Sequence, residues 1–299
     1  MNKILKTKRD NIIANFIDGE QLPFQNETSD ILYHLMPHQS SLKGFKSYLP
    51  PTVIKKRANV DCICIKKHTV LPSLDTILDE SVKSKRGLIW IDPTSVPTEC
   101  LASIISLWLE KVRPTDNVGL GIAIPNCEIN YSVEKALRVW APSSSGPVVK
   151  DLDSLKIPVW YPSLGRNFAS LQSISDQFTP IEIFPIVDFP RVISYSAEKE
   201  LASHHQMLDR YRTRTRNFIY LNTVCPEEGL EMLSKSFEAV SRDGKVPRSL
   251  LLTPGGTSIS YIVMLIAGVL ARATFITPEL EVPFHDSKQL GFALIKKCE

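Results

Sequence analysis

Leu250-Leu-Leu-Thr-Pro-Gly-Gly-Thr-Ser258 runs directly into Ile259-Ser-Tyr-Ile-Val-Met-Leu-Ile-Ala-Gly-Val-Leu270. The first four residues read as a buried strand, the glycines as a tight turn, and the long apolar run as a buried helix. A helix N-terminus presents free backbone N–H groups and a partial positive charge, so it attracts anions. Two glycines let the backbone approach a phosphate with no Cβ in the way. Thr257 and Ser258 add hydroxyls at the same point. The turn is neither a P-loop nor a Gly-x-Gly-x-x-Gly fingerprint, so it specifies neither a triphosphate nor NAD. Two readings stand side by side: a ligand contact through Gly255, Gly256, Thr257 and Ser258, and a plain turn capped by Thr257 or Ser258.

Working outward, the same alternation recurs. Asn217 to Leu221 reads as a strand, Pro226 to Val240 as a helix, and Ala273 to Thr277 as a strand, with a last strand at Gly291 to Ile295. Upstream, strands are expected at Val60 to Ile65, Gly87 to Ile91 and Val118 to Ile124, with helices at Leu74 to Val82 and Pro97 to Val112. Short continuous apolar runs suit strands buried on both faces of a parallel sheet. Strand–helix–strand order implies right-handed crossovers. Between these blocks, Val159 to Tyr161 reads as a strand and Phe168 to Phe178 as a helix. Ile181 to Val187 reads as a strand that Pro185 confines to an edge or breaks. Ser196 to Arg212 reads as a helix. Residues 1 to 55 read as irregular or helical, with a short helix at Asp10 to Ile17.

The chain has 299 residues, 43% of them apolar and 22% charged, which is ordinary for a globular protein. A net charge of +3 is too small to argue for nucleic acid by itself. The longest apolar run, Ile259 to Leu270, is too short to span a bilayer, so no membrane partner is expected. Met1 to Asp10 is basic and polar, unlike a secretory leader. The six cysteines form no Cys-x-x-Cys pair, so no metal and no cofactor are expected, and a reducing cytoplasm suits them.

Other candidate residues cluster at predicted strand ends. Asp92 and Thr94 follow one strand, and Asn222 and Thr223 follow another. In a parallel sheet all of them face the edge that carries the glycine turn, and form a polar rim for ribose and phosphate. Taken singly, each also reads as a helix cap. The two stretches echo each other: Ile89-Trp-Ile-Asp-Pro-Thr-Ser-Val-Pro-Thr-Glu99 against Ile219-Tyr-Leu-Asn-Thr-Val-Cys-Pro-Glu-Glu228. The echo is either a duplication or two uses of good helix-start residues. Arg212, Arg214 and Arg216 would share one face of an extended segment and contact a polyanion such as nucleic acid. The alternative is a solvated helix end.

Leu250 to Leu270 resembles the core motif of CRISPR-associated Rossmann-fold domains, in which a hydrophobic strand leads through a glycine-threonine turn into an apolar helix. That turn maps onto Gly255, Gly256 and Thr257. Ser258 stands where the family often has lysine, and Thr253-Pro254 is a further departure. The resemblance implies a cyclic oligoadenylate or related nucleotide ligand, a homodimer with the ligand at its interface, and a role in prokaryotic antiviral defence with a separate effector protein. The expected architecture is α/β: an N-terminal region over 1–55, then two Rossmann-like halves with mainly parallel sheets over 56–165 and 166–299. Two other functions remain: a nucleotide hydrolase or transferase using Asp92 as base or metal ligand, and a structural subunit of a protein or nucleic-acid assembly.

Overall fold

The computed structural model describes residues 4–6, 11–18, 31–37, 61–65, 70–84, 87–91, 93, 96–129, 131, 136–165, 168–189, 201–242, 248–278 and 289–298. The architecture is α/β, with mixed sheets in which parallel strands predominate. The chain forms two compact units. The first comprises residues 1–126, 143–146 and 284–299, and the second 127–142 and 147–283.

The first unit contains β1 (Ile4–Lys6), β2 (Asn11–Asp18), β3 (Ile31–Pro37), β4 (Asp61–Ile65), α1 (Val70–Ser84), β5 (Gly87–Ile91), α2 (Thr98–Lys111), β6 (Val118–Pro125) and, from the far end of the chain, β15 (Gln289–Cys298). Its described strands run in the order β1-β2-β15-β6-β5-β3-β4. β4, β3, β5 and β6 are mutually parallel, and β15, β2 and β1 continue the sheet antiparallel. Lys111 bridges Asp75 and Asp79 at 2.8 and 2.9 Å and ties α2 to α1. The Lys297 ammonium on β15 donates to the Leu109 carbonyl at 2.6 Å, which satisfies an orphan acceptor at the C-terminal end of α2.

The second unit contains β7 (Leu137–Ala141), β8 (Val148–Val149), β9 (Pro158–Pro162), α3 (Phe168–Gln177), β10 (Glu182–Ile183), β11 (Ile186–Phe189), α4 (His205–Arg210), β12 (Ile219–Asn222), α5 (Pro226–Arg242), β13 (Ser249–Thr253), α6 (Ser258–Ala271) and β14 (Thr274–Pro278). One sheet runs β10-β9-β13-β14-β7-β8, and β11 pairs in parallel with β12. A single bridge, Ser163 to Ile186, and the Leu164 N–H to Ile186 carbonyl bond carry β11 alongside the end of β9. β10 and β11 are therefore one strand interrupted at Phe184-Pro185, as the missing proline N–H requires. α6 is buried from Ser258 to Val269, in keeping with a helix that is apolar on every side. Two buried indoles orient the core: Trp160 Nε1 donates to Thr253 Oγ1 and Trp140 Nε1 to Thr277 Oγ1, each at 2.9 Å.

Three expectations need correction. Asp10 to Ile17 is not helical, because β2 occupies Asn11–Asp18, with Ile12 and Ala14 buried on alternate positions and β15 as its hydrogen-bonding partner. The N-terminal 55 residues are not a separate region: β1, β2 and β3 are strands of the first sheet, and β3 lies between β4 and β5. The division of the chain falls at residues 126 and 127 rather than at 165 and 166, since β9 belongs to the second unit and β15 returns to the first.

Candidate functional site at the ends of β9, β11 and β13

In the second unit the parallel strands, counted along the chain as β9, the broken β10–β11, β12, β13 and β14, lie in the order 3-2-1-4-5. The order reverses between β9 and β13, and ligands of open α/β sheets bind outside the carboxyl ends of the strands at such a reversal. Ser163-Leu164-Gly165 leaves β9 there, and Pro254-Gly255-Gly256-Thr257 leaves β13. Asp188, near the end of β11, completes the group.

The two loops touch backbone to backbone. Gly165 has φ of +32°, and a Cβ on it would lie 2.7 Å from the N and Cα of Gly256. Gly256 has φ of +77°, and a Cβ there would lie 2.8 and 3.0 Å from the two Asp188 carboxylate oxygens and 3.0 Å from Ser163 Oγ. Both positions therefore require glycine on grounds of conformation and of space. The Thr257 N–H donates to Asp188 Oδ2 at 2.6 Å, a short charge-assisted bond at the head of α6. Thr257 Oγ1 accepts from the Ser260 N–H at 3.3 Å as the N-cap. The Ser258 N–H donates to the Cys127 carbonyl at 3.0 Å, and the Ile129 N–H to the Gly256 carbonyl at 2.8 Å.

Gly255, Gly256, Thr257 and Ser258 are thus brought together as the sequence implies, but they are buried, and the amides of Thr257 and Ser258 donate within the chain. The anion beside the glycine turn is the chain's own Asp188 carboxylate. Asp188 and Ser163 are each only 1% exposed. Ser163 Oγ finds no hydrogen-bond partner among the described residues. His204, fully buried, holds the same loop: its Nε2 lies 3.0 Å from the Gly165 carbonyl. Burial pushes its pKa below the ordinary histidine value, and the carbonyls of Gly165 and Leu164 oppose that shift. Ser163 Oγ and His204 form no nucleophile–base pair among the described residues, since Ser163 Oγ has no partner there and His204 Nε2 is engaged by Gly165.

The other predicted residues are placed differently. Asn222 Oδ1 accepts from the N–H groups of Val224 and Cys225 at 3.0 and 3.2 Å, so it forms an Asx turn in the stretch between β12 and α5, ahead of the helix itself. The Thr223 N–H donates to the Phe189 carbonyl. Asp92 and Thr94 lie outside the described residues. They follow β5, which neighbours β3 where the parallel order of the first unit, 2-1-3-4, reverses. The two echoing stretches therefore leave strands at different places in sheets of different order. Arg212, Arg214 and Arg216 do not line one strand face, because residues 211–214 form a turn after α4. Arg214 donates to the Pro180 carbonyl at 3.1 Å, Arg216 pairs with Glu182 at 2.8 Å, and Arg212 is exposed. Arg248 also pairs with Glu182, at 2.9 Å. Among the described residues no three His, Cys, Asp or Glu side chains converge as metal ligands, and no helix is long and apolar enough to cross a membrane.

Asp188, Ser163, Gly165 and His204 escaped the sequence reading. An acid two residues past the start of a short apolar strand and a lone Ser-Leu-Gly carry little signal until the strand order is known. No protein-family model and no curated protein matches the chain, so the strand-order reversal and the residues around it are the grounds on which its function is argued.

Proposed function

We propose that the chain is a nucleotide-binding sensor or accessory subunit whose ligand is received at the carboxyl ends of β9, β11 and β13. One observation carries the reading: both strands that flank the order reversal end in glycine loops, and these loops meet around Thr257, Ser163 and Asp188. The order 3-2-1-4-5 is that of doubly wound nucleotide-binding sheets, and the 2-1-3-4 order in the first unit belongs to the same class. Both orders support a description as two Rossmann-like halves. The resemblance of Leu250 to Leu270 to CRISPR-associated Rossmann-fold domains adds the ligand class, a cyclic oligoadenylate or related nucleotide, and the setting, antiviral defence as a homo-oligomer with a separate effector chain. Thermal unfolding against mono-, di- and cyclic oligonucleotides tests this. A selective rise is expected, since a ligand bound only to the folded state stabilises by about 2.7 kcal/mol at a hundredfold excess over its Kd. The absence of a shift with every nucleotide in the panel overturns the reading.

A second reading has its own support. The internal bonds of the Thr257, Ser258 and Ser260 amides are those of a structural joint, as in a subunit without a small ligand. A flat nucleotide panel favours it.

A further inference from the structure

The head of α6 is built for an anion and already holds one. The Asp188 carboxylate reaches it from β11, across the end of β9, and takes the Thr257 N–H at 2.6 Å. Gly256 leaves the space for that carboxylate, because any Cβ would stand 2.8 Å from Oδ2. Beside the carboxylate sits a hydroxyl that the joint does not use. Ser163 Oγ is buried, lies 3.0 Å from the same Gly256 Cβ position, and has no hydrogen-bond partner among the described residues. A buried hydroxyl left unpaired is unfavourable, and a static joint gains nothing from it. A carboxylate has its two oxygens in one plane. A tetrahedral oxyanion spreads its acceptors and would receive the Thr257 N–H and the Ser163 O–H together.

We propose that Asp188 is a displaceable internal occupant of a phosphate site formed by the Thr257 amide and the Ser163 hydroxyl, and that a phosphate-bearing ligand binds by taking its place. This rests on the nucleotide-binding reading and adds its regulation. Asp188 sets a threshold, since the ligand must outcompete a tethered carboxylate and move a like charge away before it can bind. Release of Asp188 removes the side-chain tie between β11 and the β13–α6 loop, so occupancy is transmitted to the β11–β12 pair.

The test is calorimetric titration of the full chain with inorganic phosphate at matched ionic strength. Asp188→Asn keeps an acceptor for the Thr257 amide and removes the competing charge. We expect it to bind phosphate at least tenfold more tightly than the wild type, and Ser163→Ala in that background to lose most of the gain. A folded Asp188→Asn with unchanged or weaker phosphate affinity overturns the proposal. Should that variant fail to fold, the wild type decides: phosphate at saturating concentration must move the Thr257 amide resonance while leaving that of Val224, bonded to Asn222, in place, and an unmoved Thr257 resonance overturns the proposal. The two readings fail separately. A flat nucleotide panel with a Ser163-dependent gain in Asp188→Asn removes the nucleotide and keeps the phosphate site. A nucleotide shift in the wild type with no gain in Asp188→Asn puts the nucleotide elsewhere and removes the displaceable carboxylate.

Discussion

Two helices of the second unit follow parallel strands, and the turns that lead into them are held in different ways. The turn into α5 is local: Asn222 Oδ1 takes the amides two and three residues further on, at a half-buried position. α6 is capped twice, by Thr257 Oγ1 from within and by Asp188, 69 residues away in the chain, from without. The local turn needs only the right side chain at one position. The remote cap needs a carboxylate on another strand, a glycine to admit it, a second glycine so that the β9 loop can lie against the first, and a histidine holding that loop. A turn that depends on four separate stretches of chain should be far less tolerant of change than one that depends on four consecutive residues.

The sharpest way to break the comparison is Gly256→Ala. It places an L residue at φ of +77° and its methyl against Asp188. We expect a loss of about 3 kcal/mol in chemical denaturation, from the left-handed backbone and the disturbed charged hydrogen bond together. A loss below about 1 kcal/mol would show that the loop has room, and would return the glycine to the role of an open cradle. Asp188→Ala comes next. It leaves the buried Thr257 N–H without its acceptor, and a loss of about 2 kcal/mol is expected.

His204 sharpens the contrast through pH. Its folded pKa is lowered, so on acidification the unfolded chain takes up the proton first. The stability it preserves is fully present above the ordinary value of about 6.5 and is lost as pH falls from there towards the folded pKa, with a slope of at most about 1.4 kcal/mol per pH unit. Urea midpoints measured between about pH 7 and pH 5 should fall for the wild type and fall less for His204→Gln, which keeps a donor for the Gly165 carbonyl. Equal acid sensitivity in the two proteins would assign the effect to other groups. The smallest change is expected at the local turn. Asn222→Ala should cost about 1 kcal/mol and Asn222→Asp less, both read from thermal unfolding. A loss from Asn222→Ala as large as that from Gly256→Ala would erase the distinction between the two turns.

Much of this was open to reading from the residues alone. The strand–turn–helix of Leu250 to Leu270 follows from an apolar run, two glycines and a capping threonine, all within twenty-one residues. Pro185 announces the break between β10 and β11, because a proline cannot donate to the ladder. Asn222 reads as a helix cap, and it instead closes the turn before the helix, on the amides of Val224 and Cys225. These features rest on backbone sterics and on hydrogen bonds spanning a few residues, which a short window contains.

Partnership is another matter. Asn11–Asp18 has apolar residues that suit either a short helix or a strand, and β15, more than 270 residues further on, decides for the strand by offering a hydrogen-bonding edge. The arginines after Tyr211 read as an exposed cationic row until the turn at 211–214 carries Arg214 to a carbonyl and Arg216 to Glu182. The Gly-Gly-Thr turn announces an anion by its own chemistry, since glycine and a helix N-terminus both favour one. Only the order in which the strands lie side by side brings Asp188 to that place, because sheet pairing joins residues that the chain itself keeps far apart.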